Sequence, residues 1–146
     1  MKNLLIYINP SKDFDDEGRV AIKIQIDNSI DLGWKKEDIM LITNFPYQYG
    51  GVKSIIVSDS NFCFSDPLST KTSTIPSLIE NNFIKKREIY WAHDLDAFQN
   101  EVITESELEL DTADIGLTDK GRMPIWNLGS IFLKDTAHDI FNLIKD

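Results

Sequence analysis

The fold is decided first by residues 3–10, which read NLLIYINP. The first six residues form a short apolar run rich in β-favouring side chains, and Asn9-Pro10 ends it. An apolar run of this length without polar alternation is typical of a strand that is buried on both faces of a sheet. Residues 3–8 are therefore predicted to form a buried strand, with a loop beginning at Asn9.

The segment after this strand is predicted to be a helix over residues 16–32. Apolar residues alternate from Val20 to Ile26, which by itself favours a strand, but the same residues also fit helical spacing. The acidic residues 15–17 suit the positive end of a helix, and Gly33 suits a C-terminal cap. These end signals favour the helix.

The rest of the chain continues the alternation of strands and helices. Strands are predicted at 38–43, 54–58, 87–92, 115–117 and 125–133, and helices at 74–84 and 136–145. This order predicts a single α/β domain over residues 1–146, with an open, mainly parallel sheet and flanking helices. Ligands of such sheets bind beyond the carboxyl ends of the strands, so functional residues are expected after Ile8, Thr43 and Ala92.

Composition excludes several classes of function. The chain of 146 residues carries 24 acidic and 15 basic side chains, a formal charge of −9, which disfavours nucleic acids and anionic membranes as partners. No apolar run is long enough to span a membrane, and the N-terminus lacks the pattern of a signal peptide. The single cysteine excludes an intramolecular disulfide. A cytoplasmic protein is expected.

Two carboxylates follow the predicted strand 87–92, in the segment YWAHDLDAFQ (residues 90–99). In extended backbone, Asp94 and Asp96 would point to the same side. Two such carboxylates can hold one Mg²⁺ or Mn²⁺, which offsets the charge of a diphosphate leaving group. The spacing alone is weak support, because a chain with 16 aspartates contains such triplets by chance. The position of these two aspartates directly after a buried strand supports a metal site more strongly than their spacing does.

The segment YWAHDLDAFQ resembles the DxD region of small GT-A-type glycosyltransferases encoded by phages and large DNA viruses. Four other segments resemble the same family in the same order: LLIYINP, QIDNSIDLGWKKEDIMLITNFPY, STKTSTIPSLIENNFI and MPIWNLGSIFLKDTAHDIFNLIKD. They resemble, in turn, the first strand, the first helix with the second strand, the helix before the DxD strand, and a later strand with its helix. The similarity spans residues 3–145.

The resemblance implies a GT-A-like domain that transfers a sugar from a nucleotide-sugar donor to a glycan or another hydroxyl acceptor, in the host cytoplasm if the protein is viral. Asp94 and Asp96 would hold the metal, usually Mn²⁺ and alternatively Mg²⁺, and Asp94 would also contact the donor. The other implied donor contacts are Asn9 and Asn44 at the base and ribose, Lys71 and Ser73 near the ribose or diphosphate, and Asn127 and Gly129 beside the sugar.

Two alternatives stay open. The family usually continues past the closing helix into an acceptor-side region, whereas this sequence ends at Asp146. A nucleotide-sugar-binding module without independent catalysis is therefore an alternative, acting with a partner chain or as a homo-oligomer. A metal-dependent phosphate-ester hydrolase is a second, and it would need further carboxylates from Asp114, Asp119 or the acidic run 105–111. The sequence identifies no catalytic base, and His93 is predicted to be a packed, structural side chain.

Overall fold

The computed structural model describes residues 1–119 and 126–145, and its centre is a six-stranded sheet. The strands are β1 (Lys2–Tyr7), β2 (Ile39–Thr43), β3 (Gln48–Tyr49), β4 (Val52–Lys53), β5 (Ile55–Ile56), β6 (Tyr90–His93), β7 (Ile115–Asp119) and β8 (Trp126–Leu133). The helices are α1 (Asp16–Asp31), α2 (Thr70–Glu80) and α3 (His138–Lys145). Strands β3 and β4 form a separate two-stranded hairpin.

The sheet has the strand order β5-β2-β1-β6-β8-β7. The neighbours from β5 to β6 are parallel, whereas β8 runs antiparallel to both β6 and β7. The predicted α/β class is confirmed, and the strand order is compatible with the predicted open sheet. The sheet is mixed, however, because one reversed strand lies between β6 and β7.

Helices cover both faces of this sheet. Leu5 and Leu41 pack with residues of α1, while their neighbours Leu4 and Ile42 pack with residues of α2 and α3. All four of these strand side chains are fully buried. Burial on both faces explains why β1 and β2 are apolar runs without polar alternation.

Helix α1 lies within one residue of its predicted range. The Asp15 side chain caps it by accepting a hydrogen bond from the Gly18 N–H at 2.6 Å. Gly33 follows its last turn with φ +90°, a conformation that favours glycine. The helix end signals in the sequence therefore predicted both termini.

Two other predicted starts are wrong. Helix α2 begins at Thr70 rather than residue 74, so Pro76 lies in its interior and not in its first turn. The predicted start followed from the preference of proline for a first turn, whereas Pro76 lies buried in the middle of the helix. Strand β6 begins at Tyr90 rather than residue 87, because Arg87 has φ +65° and cannot continue a strand.

The C-terminal elements agree more closely with their predictions. Strand β8 begins at Trp126, and residue 125 of the predicted strand lies outside the described residues. A short 3-10 turn, Asp135–Ala137, precedes α3. Among the described residues, no helix has the length and apolar character needed to cross a membrane.

Candidate functional site

A cleft of about 1010 Å³ opens at the carboxyl ends of β1 and β6. Strand β1 pairs with β2 on one side and with β6 on the other, so the direction in which strands are added to the sheet reverses at β1. Such a switch point is the usual ligand site of open α/β sheets. The walls come from the loop after β1, the start of α1, the start of α2 and the turn after β6.

Asp94 and Asp96 belong to a tight turn that lines this cleft. The Ala97 N–H donates to the Asp94 carbonyl at 3.0 Å, which closes a turn over residues 94–97. The expectation that extended backbone aligns the two carboxylates is therefore wrong, because the strand ends at His93. The turn itself presents both exposed carboxylates to the cleft.

Lys71 approaches the same turn from α2. Its Nζ donates to Asp94 Oδ1 at 2.7 Å and to the Leu128 carbonyl. The Lys71 side chain is 10% exposed, whereas that of Asp94 is 55% exposed. A cation in the first turn of a helix meets the positive end of the helix dipole, so this buried ammonium needs an anion close to it. Asp94 supplies that anion.

An irregularity in β8 makes room for this ion pair. Thr118 of β7 pairs with Asn127, but Leu117 pairs with Ile131, so residues 128–130 of β8 have no partner in β7. The Leu128 carbonyl within this segment accepts the hydrogen bond from Lys71. Irregularities of this kind often lie beside functional sites, where they redirect a strand.

Gly129 lies in the same segment and touches Asp94. Its carbonyl accepts from the Asp94 N–H at 2.8 Å. A Cβ at position 129 would lie 2.8 Å from Asp94 Oδ2 and 2.9 Å from Asn127 Oδ1. The absence of a side chain thus leaves space for the Asp94 carboxylate. Asn127 uses its Oδ1 to accept the Gly129 N–H at 2.9 Å.

Asn9 and Asn44 meet at the ends of β1 and β2. The Asn9 N–H donates to Asn44 Oδ1 at 3.0 Å, and Asn44 Nδ2 donates to the Asn9 carbonyl at 2.7 Å and to Asp59 Oδ1 at 2.9 Å. The Asn44 hydrogen bond and the nearby Lys12 ammonium lower the pKa of Asp59. Asn9 lines the cleft, whereas Asn44 is buried behind it and holds the loop in place.

The remaining predicted residues are placed less centrally. Ser73 is half-buried on α2 and is not among the residues that line the cleft. His93 is buried, and its two ring nitrogens lie 2.9 Å from the Asn3 side-chain oxygen and 2.9 Å from the Asp94 carbonyl. Burial lowers the pKa of His93, which favours the neutral ring. These contacts agree with the predicted structural role.

The cleft also has an apolar wall, which was not predicted from the sequence. Val20, Ile24 and Phe98 line it and are 57%, 45% and 49% exposed. Ile22 and Ile26, on the opposite face of α1, are fully buried in the core. The alternation of apolar residues from Val20 to Ile26 could have indicated this wall, because it gives the helix two apolar faces. One face lies toward the sheet and the other toward the cleft.

The cleft residues offer a limited set of metal ligands. Within residues 1–119 and 126–145, no three His, Cys, Asp or Glu side chains converge as a metal site. Asp94 and Asp96 are the two carboxylates of the turn after β6, and Asp15, Asp16 and Glu17 line the same cleft at the start of α1. A Mg²⁺ or Mn²⁺ ion held by one or two carboxylates takes its other ligands from water and phosphate oxygens. The donor set therefore fits a cation that binds together with a phosphorylated ligand.

Comparison of this chain with protein-family models, with curated proteins and with solved structures gives no match.

Proposed function

We propose that this protein is a metal-dependent glycosyltransferase that binds a nucleotide-sugar donor in the cleft and has a GT-A-like arrangement. The observation that carries the proposal is the convergence of Lys71, Asp94 and Asp96 at the switch point between β1 and β6. One buried ammonium beside two exposed carboxylates suits a ligand that brings both phosphate oxygens and a divalent cation. The open sheet with helices on both faces supports the same proposal.

In this proposal, an acceptor hydroxyl attacks the anomeric carbon of the donor sugar. The new C–O bond forms as the anomeric C–O bond to the diphosphate breaks, the electron pair leaves on the phosphate oxygen, and the hydroxyl proton is released to water. Asp94 and Asp96 would hold a divalent cation, which would supply charge that neutralises the departing diphosphate. Lys71 donates a hydrogen bond to a phosphate oxygen, and the wall of Val20, Ile24 and Phe98 excludes water from one side of the donor.

The proposal is tested by thermal denaturation with Mn²⁺ and a panel of nucleoside diphosphates. A ligand at about 100 times its Kd adds roughly 2.7 kcal/mol of stability, which is a rise in melting temperature of roughly 6–10 °C for a chain of this size. We expect Asp96→Asn to abolish the Mn²⁺-dependent rise and to leave the melting temperature without metal unchanged or slightly higher. The amide keeps the shape of the side chain and removes one of two like charges.

The matched control is Asp111→Asn, which makes the same change at an exposed position outside the cleft. This variant should respond to Mn²⁺ and nucleotide as the unmodified protein does. A response of Asp96→Asn equal to that of the control would remove the metal site from the proposal. If no nucleoside diphosphate and no nucleotide sugar binds in the presence of Mn²⁺, the proposed function fails.

Turnover separates the enzyme from a binding module. We expect the chain to release nucleoside diphosphate continuously from its donor when an acceptor is present, and Asp96→Asn to stop the release. Metal-dependent binding without release, across donors and acceptors, would instead favour the nucleotide-sugar-binding module.

A further inference from the structure

We propose that Gln25 of α1 is a positioning residue that fixes the direction of the Asp96 side chain by holding the backbone beside it. The inference rests on the proposed function, which assigns the binding of cation and donor to the turn of residues 94–97. It is carried by one buried side-chain amide. Gln25 Nε2 donates to the Leu95 carbonyl at 2.8 Å and to the Ala97 carbonyl at 3.1 Å.

The hydrogen bonds of this turn restrain the two peptide groups that flank the Asp96 Cα. The group before it contains the Leu95 carbonyl, which Gln25 holds. The group after it contains the Ala97 N–H, which donates to the Asp94 carbonyl at 3.0 Å. Because each peptide group is planar, holding both of them restrains φ and ψ of Asp96 and therefore the direction of its Cβ.

The Asp96 side chain itself has no such contacts. Its carboxylate is exposed, and among the described residues it makes no hydrogen bond or ion pair. Asp94 differs, because its carboxylate pairs with Lys71 and its N–H donates to the Gly129 carbonyl. The direction in which Asp96 points into the cleft therefore depends on the backbone of the turn.

The burial of Gln25 shows what its amide is used for. Gln25 is 1% exposed and lies on the same face of α1 as Ile22 and Ile26, which are fully buried. A buried amide costs free energy unless its donors are satisfied, and the two N–H groups of Nε2 match the two carbonyls. The Leu95 side chain packs against the same core cluster. This packing places the turn, and the amide sets how its peptide groups are rotated.

The same helix offers a matched control at Asn28, three residues further along. Asn28 Nδ2 donates to the Gln99 carbonyl at 3.1 Å, two residues beyond the turn. Trp34 Nε1 also donates to Gln99 Oε1, at 2.7 Å, so Gln99 keeps a contact when Asn28 is changed. Both amides hold the backbone of the segment after β6, but only that of Gln25 holds the backbone beside Asp96.

The test compares Gln25→Met with Asn28→Met in the full chain. Each change replaces an amide by an unbranched apolar side chain without a donor. The first readout needs no ligand: hydrogen exchange of the Ala97 amide is measured by NMR, relative to the amides of β1, which report global unfolding. We expect the relative exchange at Ala97 to be roughly tenfold faster in Gln25→Met and unchanged in Asn28→Met.

The second readout is the binding of Mn²⁺ together with inorganic pyrophosphate. Calorimetry measures it, and a protein-free titration corrects for the Mn²⁺–pyrophosphate complex. We expect Gln25→Met to weaken this binding by about tenfold, as is typical when a group that orients a ligating side chain is lost. Asn28→Met should bind as the unmodified protein does. A merely structural role of Gln25 would lower the melting temperature of both variants and leave both affinities unchanged.

A second substitution, Gln25→Glu, serves if Gln25→Met does not fold. Its carboxyl group has nearly the same shape as the amide and can donate to at most one of the two carbonyls. We expect the same two changes, with smaller size. If neither variant folds, hydrogen exchange of the unmodified protein decides. Slowed exchange at Ala97 would support the restrained turn, and exchange at the rate of an unstructured peptide would overturn it.

The remaining outcomes separate this inference from the proposed function. The inference is overturned if the Gln25 variants leave the relative exchange at Ala97 or the affinity unchanged, or if Asn28→Met weakens binding as much as Gln25→Met does. If the unmodified protein binds neither Mn²⁺ with pyrophosphate nor any nucleoside diphosphate, the proposed function fails. Exchange at Ala97 then still decides whether Gln25 holds the turn.

Discussion

Two polar clusters lie at the carboxyl edge of the sheet, and they differ in how far their hydrogen-bonding groups are satisfied. The asparagine network consists of Lys12, Asn9, Asn44 and Asp59, and both amide atoms of Asn44 have protein partners within it. The carboxylate turn consists of residues 94–97. Among the described residues, no hydrogen bond or ion pair engages its Asp96 side chain. Satisfied groups hold backbone in place, whereas unsatisfied groups are available to a ligand.

The largest effect is expected in the asparagine network, from Asn44→Ala. The change removes the partly buried hydrogen bond of the Asn9 N–H, one of the two hydrogen bonds to the Asn9 carbonyl, and the hydrogen bond to Asp59, and it empties the buried space of the Asn44 side chain. The free energy of unfolding should fall by about 2 kcal/mol, because three hydrogen bonds are lost together and a buried side chain is truncated. Urea denaturation of the metal-free protein measures it.

The control for this change is Asn100→Ala, at an exposed position. It should alter the free energy of unfolding by less than about 0.5 kcal/mol. An equally small effect of Asn44→Ala would mean that the asparagine network does not hold the loop after β1.

The next effect separates the two aspartates of the carboxylate turn. Asp94→Asn leaves the buried Lys71 ammonium without its anion, whereas Asp96→Asn removes a charge that has no ion-pair partner in the described part of the chain. Because Asp94 is more than half exposed and water screens the pair, we expect a loss of about 1–2 kcal/mol for Asp94→Asn. For Asp96→Asn we expect a change within about 0.5 kcal/mol.

Both variants are compared by urea denaturation without metal, and both should lose the Mn²⁺-dependent rise in melting temperature. Equal free energies of unfolding for the two variants would contradict the expectation that Asp94 stabilises the fold and Asp96 does not. Lys71 would then be held by something other than Asp94.

Local patterns predicted the parts of the fold that local physics determines. The apolar runs of β1 and β2 follow from burial on two faces, and the ends of α1 follow from Asp15 to Glu17 and Gly33. The reversal of β8 has no such signal, because the direction of a strand depends on which strands it pairs with. The start of α2 was misplaced for a similar reason, since burial of most residues from Thr70 to Pro76 outweighs the preference of Pro76 for a first turn.

The candidate site also has features that the sequence predicts and features that depend on tertiary contacts. The position of Asp94 directly after a buried strand could be recognised from the sequence alone. Its ion pair with Lys71 joins residues 23 apart, and no spacing rule connects a residue in the first turn of a helix with one after the following strand. The role of Asn44 as a support for Asn9 also depends on strand pairing, because β1 and β2 must lie side by side before the two residues meet.

A smaller effect is expected at the segment of β8 that contacts the carboxylate turn. In Gly129→Ala the new methyl group would lie 2.8 Å from Asp94 Oδ2, so the carboxylate must move. We expect the free energy of unfolding to change by less than about 1 kcal/mol, because a side-chain end can shift and alanine lowers the entropy of the unfolded chain. The affinity for Mn²⁺ with pyrophosphate should fall.

Gly116→Ala is the matched control for this prediction. It adds the same methyl group on the adjacent strand, 2.9 Å from a Leu110 methyl carbon, and Gly116 does not line the cleft. This variant should retain the affinity for Mn²⁺ with pyrophosphate. A loss of affinity in both variants would attribute the effect to the sheet as a whole and not to Asp94.

The smallest effect is the acid sensitivity of the asparagine network, which depends on Asp59. The Asn44 hydrogen bond and the Lys12 ammonium lower the pKa of Asp59 in the folded chain below the value of about 3.9 expected for an unfolded aspartate. Between the folded pKa and about pH 3.9, the unfolded chain therefore binds more protons than the folded chain. The contribution of Asp59 to stability is thus present above about pH 3.9 and is lost as the pH falls through the folded pKa. The unmodified protein should exceed Asp59→Asn in free energy of unfolding at pH 6, and the difference should shrink below about pH 4. Urea denaturation across this range measures the difference, with Asn100→Ala, which changes no charge, as the control. A difference that stays constant with pH would show that the Asp59 charge does not stabilise the asparagine network. The loss of unfolding free energy in Asn44→Ala would then come from the lost contacts to the backbone of Asn9 and not from Asp59.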